Sequence, residues 1–213
     1  MSNYSQAGQD LFVESVLKGK ENGFFVEIGS NHPSLHNNSF LLEQKYNWKG
    51  LMVEYDKSFE KTYKINRPKS IYQLNDARYV NYKEILDKNN FPINIDYLQI
   101  DLDVDNKSTL DTLLLLNNTI FDKYKFATIT FEHDIYRGNY FDTQNRSRKI
   151  FSDRGYVLAF PNVSVYWEGS YKPFEDWYVH PDLVDMNIIN KIKTSESLHW
   201  EKIIQRFNLT SSQ

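Results

Sequence analysis

The sequence predicts an α/β protein: a mainly parallel sheet with helices covering both faces. Two patterns predict this. Short apolar runs alternate with polar, helix-patterned stretches at the spacing of βαβ units. The runs also lack the in-out alternation of a half-exposed sheet, as expected of strands covered on both sides. A third pattern bears on function, because nearly every run ends at or just before an acid.

Taken in order, residues 6–17 read as an amphipathic helix with Leu11, Phe12, Val16 and Leu17 on its apolar face. Residues 23–29 form a first strand that ends at Glu27 and Gly29, and 38–45 a helix. A second strand, 50–54, closes on Glu54. The helix at 58–65 is stopped by Arg67-Pro68. Residues 70–74 are a third strand leading to Asp76, and 82–88 a short helix. A fourth strand, 95–100, runs into Asp101. Ser108, with Asp105 before it, caps a helix through Leu116. A fifth strand, 125–131, meets Glu132-His133-Asp134. The helix at 142–152 is stopped by Gly155. Residues 156–160 and 164–167 read as a closing hairpin, and 183–207 as one or two helices.

Composition narrows the function. The 213 residues suit one domain with a full core, and 15% aromatic content argues against disorder. No cysteine exists to form disulfides, thiolate metal sites or a thiol nucleophile. A net charge of −3 disfavours a nucleic-acid partner. Mean hydropathy is −0.61, and no apolar run approaches the roughly 20 residues of a membrane span. The N-terminus has no basic segment followed by an apolar one, so a cytoplasmic location is expected.

In open α/β sheets ligands bind beyond the carboxyl ends of the strands, where these acids cluster. Gly29, after the first strand, permits close approach to the backbone. Glu54, closing the second, can accept bonds from both hydroxyls of a ribose. The chain has neither the glycine-rich dinucleotide fingerprint nor a P-loop. A nucleoside cofactor without phosphates, S-adenosylmethionine, fits both facts.

Four blocks carry a resemblance over about residues 4 to 182. They are Ser5-Gln6-Ala7-Gly8-Gln9-Asp10; Gly23 through Asn31 with Asn38-Ser39-Phe40-Leu41-Leu42-Glu43; Trp48 through Glu54; and Leu98-Gln99-Ile100-Asp101-Leu102-Asp103. Together they resemble the FkbM-like family of S-adenosylmethionine-dependent methyltransferases. The tail from Pro173 to Pro181 looks like a subgroup signature. The resemblance implies a Rossmann-like class I methyltransferase fold of seven strands, the last antiparallel. It also implies methyl transfer to oxygen, often on a sugar or polyketide hydroxyl. His32-Pro33 stands where the family often has Asp-Gly, so either binding of the methionine end would rest on side chains or the loop would be rearranged. That departure also motivates the alternative reading, a non-catalytic carbohydrate-binding module on a degenerate methyltransferase fold.

Under the resemblance, Glu54 with Tyr55 holds the ribose, and Asp76 with Ala77 meets the adenine. Glu27, Gly29, Ser30, Asn31, Asn38 and Ser39 line the methionine end, with Asp101 beside them. Gln6 and Gln9 close over the cofactor. A poor alcohol nucleophile needs a base, for which Asp101, Asp103 and His133 are the candidates. Asp103, Glu132 and His133 could hold Mg²⁺ or Mn²⁺. Glu132, Asp134, Tyr136, Arg137, Trp167, Glu175, Asp176 and Trp177 suit a sugar or glycan acceptor, pairing aromatic faces with hydrogen-bonding groups. Core packing is the plainer role for Trp167 and Trp177. A homodimer is one assembly open to the chain.

Overall fold

The computed structural model describes residues 4–211. Its seven strands are β1 (Phe24–Ile28), β2 (Lys49–Glu54), β3 (Ile71–Leu74), β4 (Asn94–Ile100), β5 (Lys125–Glu132), β6 (Val157–Trp167) and β7 (Ser170–Val179). They form one sheet in the order β3-β2-β1-β4-β5-β7-β6. The pairs from β3 through β5 are parallel, and β7 alone runs antiparallel to its neighbours β5 and β6. This is the seven-stranded sheet with an antiparallel last strand that the motifs implied.

Eight α-helices accompany the strands among the described residues: α1 (Gln9–Val16), α2 (Phe40–Tyr46), α3 (Glu60–Asn66), α4 (Tyr82–Lys88), α5 (Ser108–Thr119), α6 (Phe141–Asp153), α7 (Met186–Ile192) and α8 (Trp200–Ser211). Successive strand residues serve two cores. Phe25, Met52, Tyr97 and Trp177 join the one that takes Phe12 of α1 and Phe207 of α8. Val26, Val53, Leu98 and Ile129 join the other, with Leu113 of α5 and Phe151 of α6. Both faces are buried, which is why the strands read as continuous apolar runs.

Three local expectations are corrected. The segments expected at 156–160 and 164–167 are not two arms of a hairpin: residues 157–167 are one strand, β6, with bulges around Asn162, which is left-handed at φ 53°. The real hairpin joins β6 to β7 through Glu168 and Gly169, both at positive φ (47° and 78°), as a tight two-residue turn requires. Ser108 is the first helical residue rather than the cap, and its hydroxyl donates to the Asp103 carbonyl at 2.9 Å. Asp105 caps nothing; its own N–H donates to the Asp103 carboxylate.

The strand order reverses between β1 and β4, so a crevice opens at their carboxyl ends. No helix among the described residues is long and apolar enough to cross a membrane.

Candidate active site

Two adjoining cavities occupy that edge. One, of about 440 Å³, is lined by Glu54, Tyr55, Asp76, Ala77 and Arg78. The other, of about 620 Å³, is lined by Gln6, Gly29, Asn31, Asn38, Asp101, Glu132, Asp134 and Arg137. Glu54, Leu102 and Asp103 line both. Of the strand-end acids, Glu54, Asp76, Asp101 and Glu132 therefore line two adjoining cavities, and Glu27 does not.

The crevice floor depends on Gly29. It sits at φ +83°, and a Cβ there would lie 1.7 Å from the Asp101 carbonyl oxygen. Only glycine lets the end of β1 lie this close to the end of β4. The Gly29 and Ser30 N–H groups donate to the Val53 carbonyl, and the Asn31 N–H donates to Glu54 Oε2 at 2.7 Å. Glu54 Oε1 accepts from the Asp56 N–H at 2.8 Å. Each Glu54 oxygen thus anchors a loop and keeps a lone pair for a further donor. Asp76 is gripped by Arg78 through Nε and Nη2.

Several expected cofactor residues are placed behind the cavity wall. Glu27 is fully buried and accepts from Asn37 Nδ2, the Asn38 N–H and the Ser39 hydroxyl. Burial raises its pKa, against the charge of Arg67 and these hydrogen bonds. Glu27 shares the face of Phe25, one strand step away, and so points into the core beside α2. Ser30 is buried against the Val53 carbonyl and the Tyr63 hydroxyl. Ser39 receives Arg67 Nη2 at 2.7 Å. Gln9 is buried and accepts from the Ala7 N–H at 2.9 Å. These residues shape the loop and do not line either cavity.

The loop's organiser is Arg67, which the sequence reading treated only as a helix stop. It is 1% exposed. It donates to Glu43 at 2.8 Å, to the Pro33 carbonyl at 3.0 Å, to Asn37 at 2.8 Å and to Ser39. His32 completes the turn by accepting from the Ser34 and Leu35 N–H groups. Side chains therefore hold the segment where the family often has Asp-Gly. Glu43, the acid of the second block, was the one signal of a buried basic partner.

Asp101, Glu132 and Asp134 form the centre of the larger cavity. Burial, then the charges of Asp101 and Asp134, push Glu132 well above the usual carboxylate range. Burial also raises Asp101, opposed by the neighbouring Glu132 carboxyl and by Gln99, whose Nε2 donates to Oδ2 at 3.1 Å. Glu132 therefore holds a proton more readily than Asp101 does. Asp134 takes Arg137 on Oδ2 at 2.9 Å, while its buried Oδ1 has no N–H or hydroxyl donor. The Asn38 Oδ1 is likewise buried without a donor.

His133 is corrected as a base and as a metal ligand. Its ring is fully buried, with Nε2 3.4 Å from Asp176 Oδ1 and 3.3 Å from Gln144 Nε2. Asp103 lines the cavities but accepts from the Asp105 N–H and Asn106 Nδ2. The set Asp103, Glu132 and His133 does not converge. Among the described residues no group of three or more His, Cys, Asp or Glu could hold a metal ion.

The late-strand residues divide. Burial alone would raise Asp176, but Arg148, on both oxygens at 2.7 and 2.9 Å, and His133 hold it below the usual range. Trp177 is core, stacked on Phe12 at 4.6 Å. Its Nε1 donates to Glu175, which burial and then the charge of Asp101 raise well above the usual range. None of these three lines either cavity. Tyr136 is 41% exposed beside Arg137, and Trp167 is 62% exposed at the hairpin tip.

No protein-family model matches the sequence, and no curated protein does. Solved structures do match in shape. A TehB-like SAM-dependent methyltransferase from Corynebacterium glutamicum has a TM-score of 0.51 at 11% identity, over 83% of this chain and 89% of that one. A candidate O-methyltransferase from Klebsiella pneumoniae has 0.56 at 11% identity, over 84% and 83%. A candidate methyltransferase from Streptococcus mutans, solved in complex with SAH, has 0.50 at 10% identity, over 84% and 98%. At these identities the likeness is one of fold, and the fold is that of the Rossmann-like class I methyltransferases.

Proposed function

We propose that the chain is an S-adenosylmethionine-dependent O-methyltransferase of the FkbM-like type. Its acceptor is a sugar hydroxyl, a deoxyhexose such as rhamnose in a glycan being one fit. The observation that carries this reading is the pair of adjoining cavities with Glu54 at their junction and the neighbouring carboxyl groups of Asp101 and Glu132 in the larger. The names of the similar structures support the cofactor assignment, as does the SAH held by one of them.

The donor set fits the cofactor. Glu54 offers free lone pairs to ribose hydroxyls, with Tyr55, Asp76 and Ala77 on the adenine side. The orphaned Asn38 Oδ1 suits an ammonium donor, and the surrounding carboxyl groups suit positive charge. When bound, S-adenosylmethionine supplies an electrophilic methyl group. Asp101 accepts the proton of the acceptor hydroxyl as the oxygen becomes nucleophilic. Gln99 fixes the Asp101 carboxylate through its Oδ2. Glu132, which takes up a proton more readily than Asp101, eases the repulsion between the neighbouring carboxyl groups. Asp134 Oδ1 is placed to accept a second acceptor hydroxyl.

Calorimetric titration with S-adenosylmethionine tests the cofactor, and transfer of labelled methyl to a panel of saccharides tests the reaction. Asp101→Asn is expected to lower the transfer rate about 10²–10⁴-fold, the usual contribution of a general base. Absence of cofactor binding by the wild type, or full activity in Asp101→Asn, overturns the assignment.

A further inference from the structure

The larger cavity carries seven carboxyl side chains and one guanidinium, with no lysine, among its lining residues. The guanidinium, Arg137, is already committed to Asp134 at 2.9 Å. An acceptor bearing phosphate would meet only like charge here. Even a cationic cofactor leaves most of the carboxyl groups unmatched. The buried Asp134 Oδ1 lacks a donor, and a ligand hydroxyl would supply one without adding negative charge.

A second feature lies beside this cavity. β7 pairs with β5 as far as Glu175 opposite Glu132. Residues 170–174 and their β6 partners run on past that point, roughly 16 Å at the rise of a strand. Because β6 runs parallel to β5, this extension rises from the same carboxyl edge that holds the cavities. Its tip exposes Tyr166, Trp167 and Tyr171. Tyr166 and Tyr171 meet across the hairpin at 5.2 Å, and Tyr171 rests on His199 at 5.5 Å. Trp167 lies on the other face by strand alternation and is open to solvent. Tyr136, 41% exposed, lies in the chain between Asp134 and Arg137, which both line the cavity.

We infer that the hairpin tip, with Trp167 as its platform, is a binding subsite for the inner residues of an uncharged saccharide chain. The substrate is then the end of a chain of several rings and not a nucleotide-linked monosaccharide. This inference rests on the proposed methyl transfer and adds the form in which the acceptor arrives. Ring faces stack on the aromatic surface, Glu168 accepts hydroxyls, and the terminal ring reaches Asp101. A monosaccharide at Asp101 would leave the projecting hairpin uncovered.

The test compares methyl transfer to methyl rhamnoside, a rhamnose trisaccharide and dTDP-rhamnose. The trisaccharide is expected to have the highest kcat/KM. Trp167→Ala should lower the trisaccharide value about tenfold, the scale of one aromatic contact, and Trp167→Phe should restore most of it. Circular dichroism verifies that both variants are folded. Equal kcat/KM for the mono- and trisaccharide, or preference for dTDP-rhamnose, overturns the inference and leaves the methyltransferase reading standing. A change in sedimentation of Trp167→Ala with unchanged trisaccharide kinetics also overturns it, and marks the tip as a contact between copies of the chain. Cofactor binding without transfer to any saccharide overturns both readings.

Discussion

In an Arg67→Met variant the segment between β1 and α2 would lose the side chain that ties it down. The guanidinium makes four hydrogen bonds, to Glu43, the Pro33 carbonyl, Asn37 and Ser39, in a site where it is 1% exposed. Methionine fills similar volume but leaves the Glu43 carboxylate buried without its cation. Removing one partner of a buried pair costs about 3–5 kcal/mol. At about 2–4 °C per kcal/mol for a domain of this size, Tm should fall by about 6–20 °C. Urea unfolding followed by fluorescence of the buried Trp48 and Trp177 measures the loss. A second arm uses pH. Burial already raises Glu27, and Arg67 pulls it down. Without Arg67 the folded state would hold the Glu27 proton more tightly than the unfolded chain does. The deficit should therefore shrink as pH falls and grow as pH rises. Adding Glu43→Gln should recover part of the loss. A deficit under about 1 kcal/mol in Arg67→Met would show that this network does not hold the loop, and the account of how the cavity is shaped would fall with it.

Gly29→Ala should cost about 2–5 kcal/mol, the sum of a left-handed backbone penalty and overpacking against the Asp101 carbonyl, and should impair methyl transfer by displacing Asp101. An unchanged urea midpoint would refute the close approach of β1 and β4. The raised Glu132 binds a proton in the folded state that the unfolded chain releases, so its contribution to stability is lost as pH rises through its folded-state value. Glu132→Gln keeps the neutral shape and should make the protein more stable than wild type above neutral pH, with the gap closing in acid. Unfolding midpoints at about pH 5 and about pH 8 decide it.

Much of the fold could be read from the chain because strands buried on both faces are conspicuous as apolar runs, and because a parallel sheet demands helices between them. The cavity-bearing edge was legible for a related reason. Of the acids at the ends of such runs, Glu54, Asp101, Glu132 and Asp134 line the cavities, while Glu27 is buried and holds the loop behind them. The misreadings share a cause. Glu132, His133 and Asp134 are consecutive, yet the pleat sends His133 inward to Asp176, while Asp134 turns at φ 49°. Likewise the bulge at Asn162 is held by the Asp176 carboxylate, which accepts the Asn162 N–H at 2.8 Å. A local pattern around residues 156–167 cannot report a partner on the next strand.

Apolar periodicity, glycine placement and the absence of phosphate-binding motifs are local properties, so the chain alone specified the order of its elements, the edge where ligands are expected and the class of cofactor expected there. Folding settled which acids lie together in the cavity, which histidine and tryptophan are core, and that Arg67 holds the loop from Gly29 to Ser39. Those outcomes depend on burial and on contacts between residues distant in sequence, such as Asp176 with His133 and Arg67 with Glu43. The energy of a charge or a hydrogen bond changes several-fold once water is excluded, and only the packed structure decides where that happens.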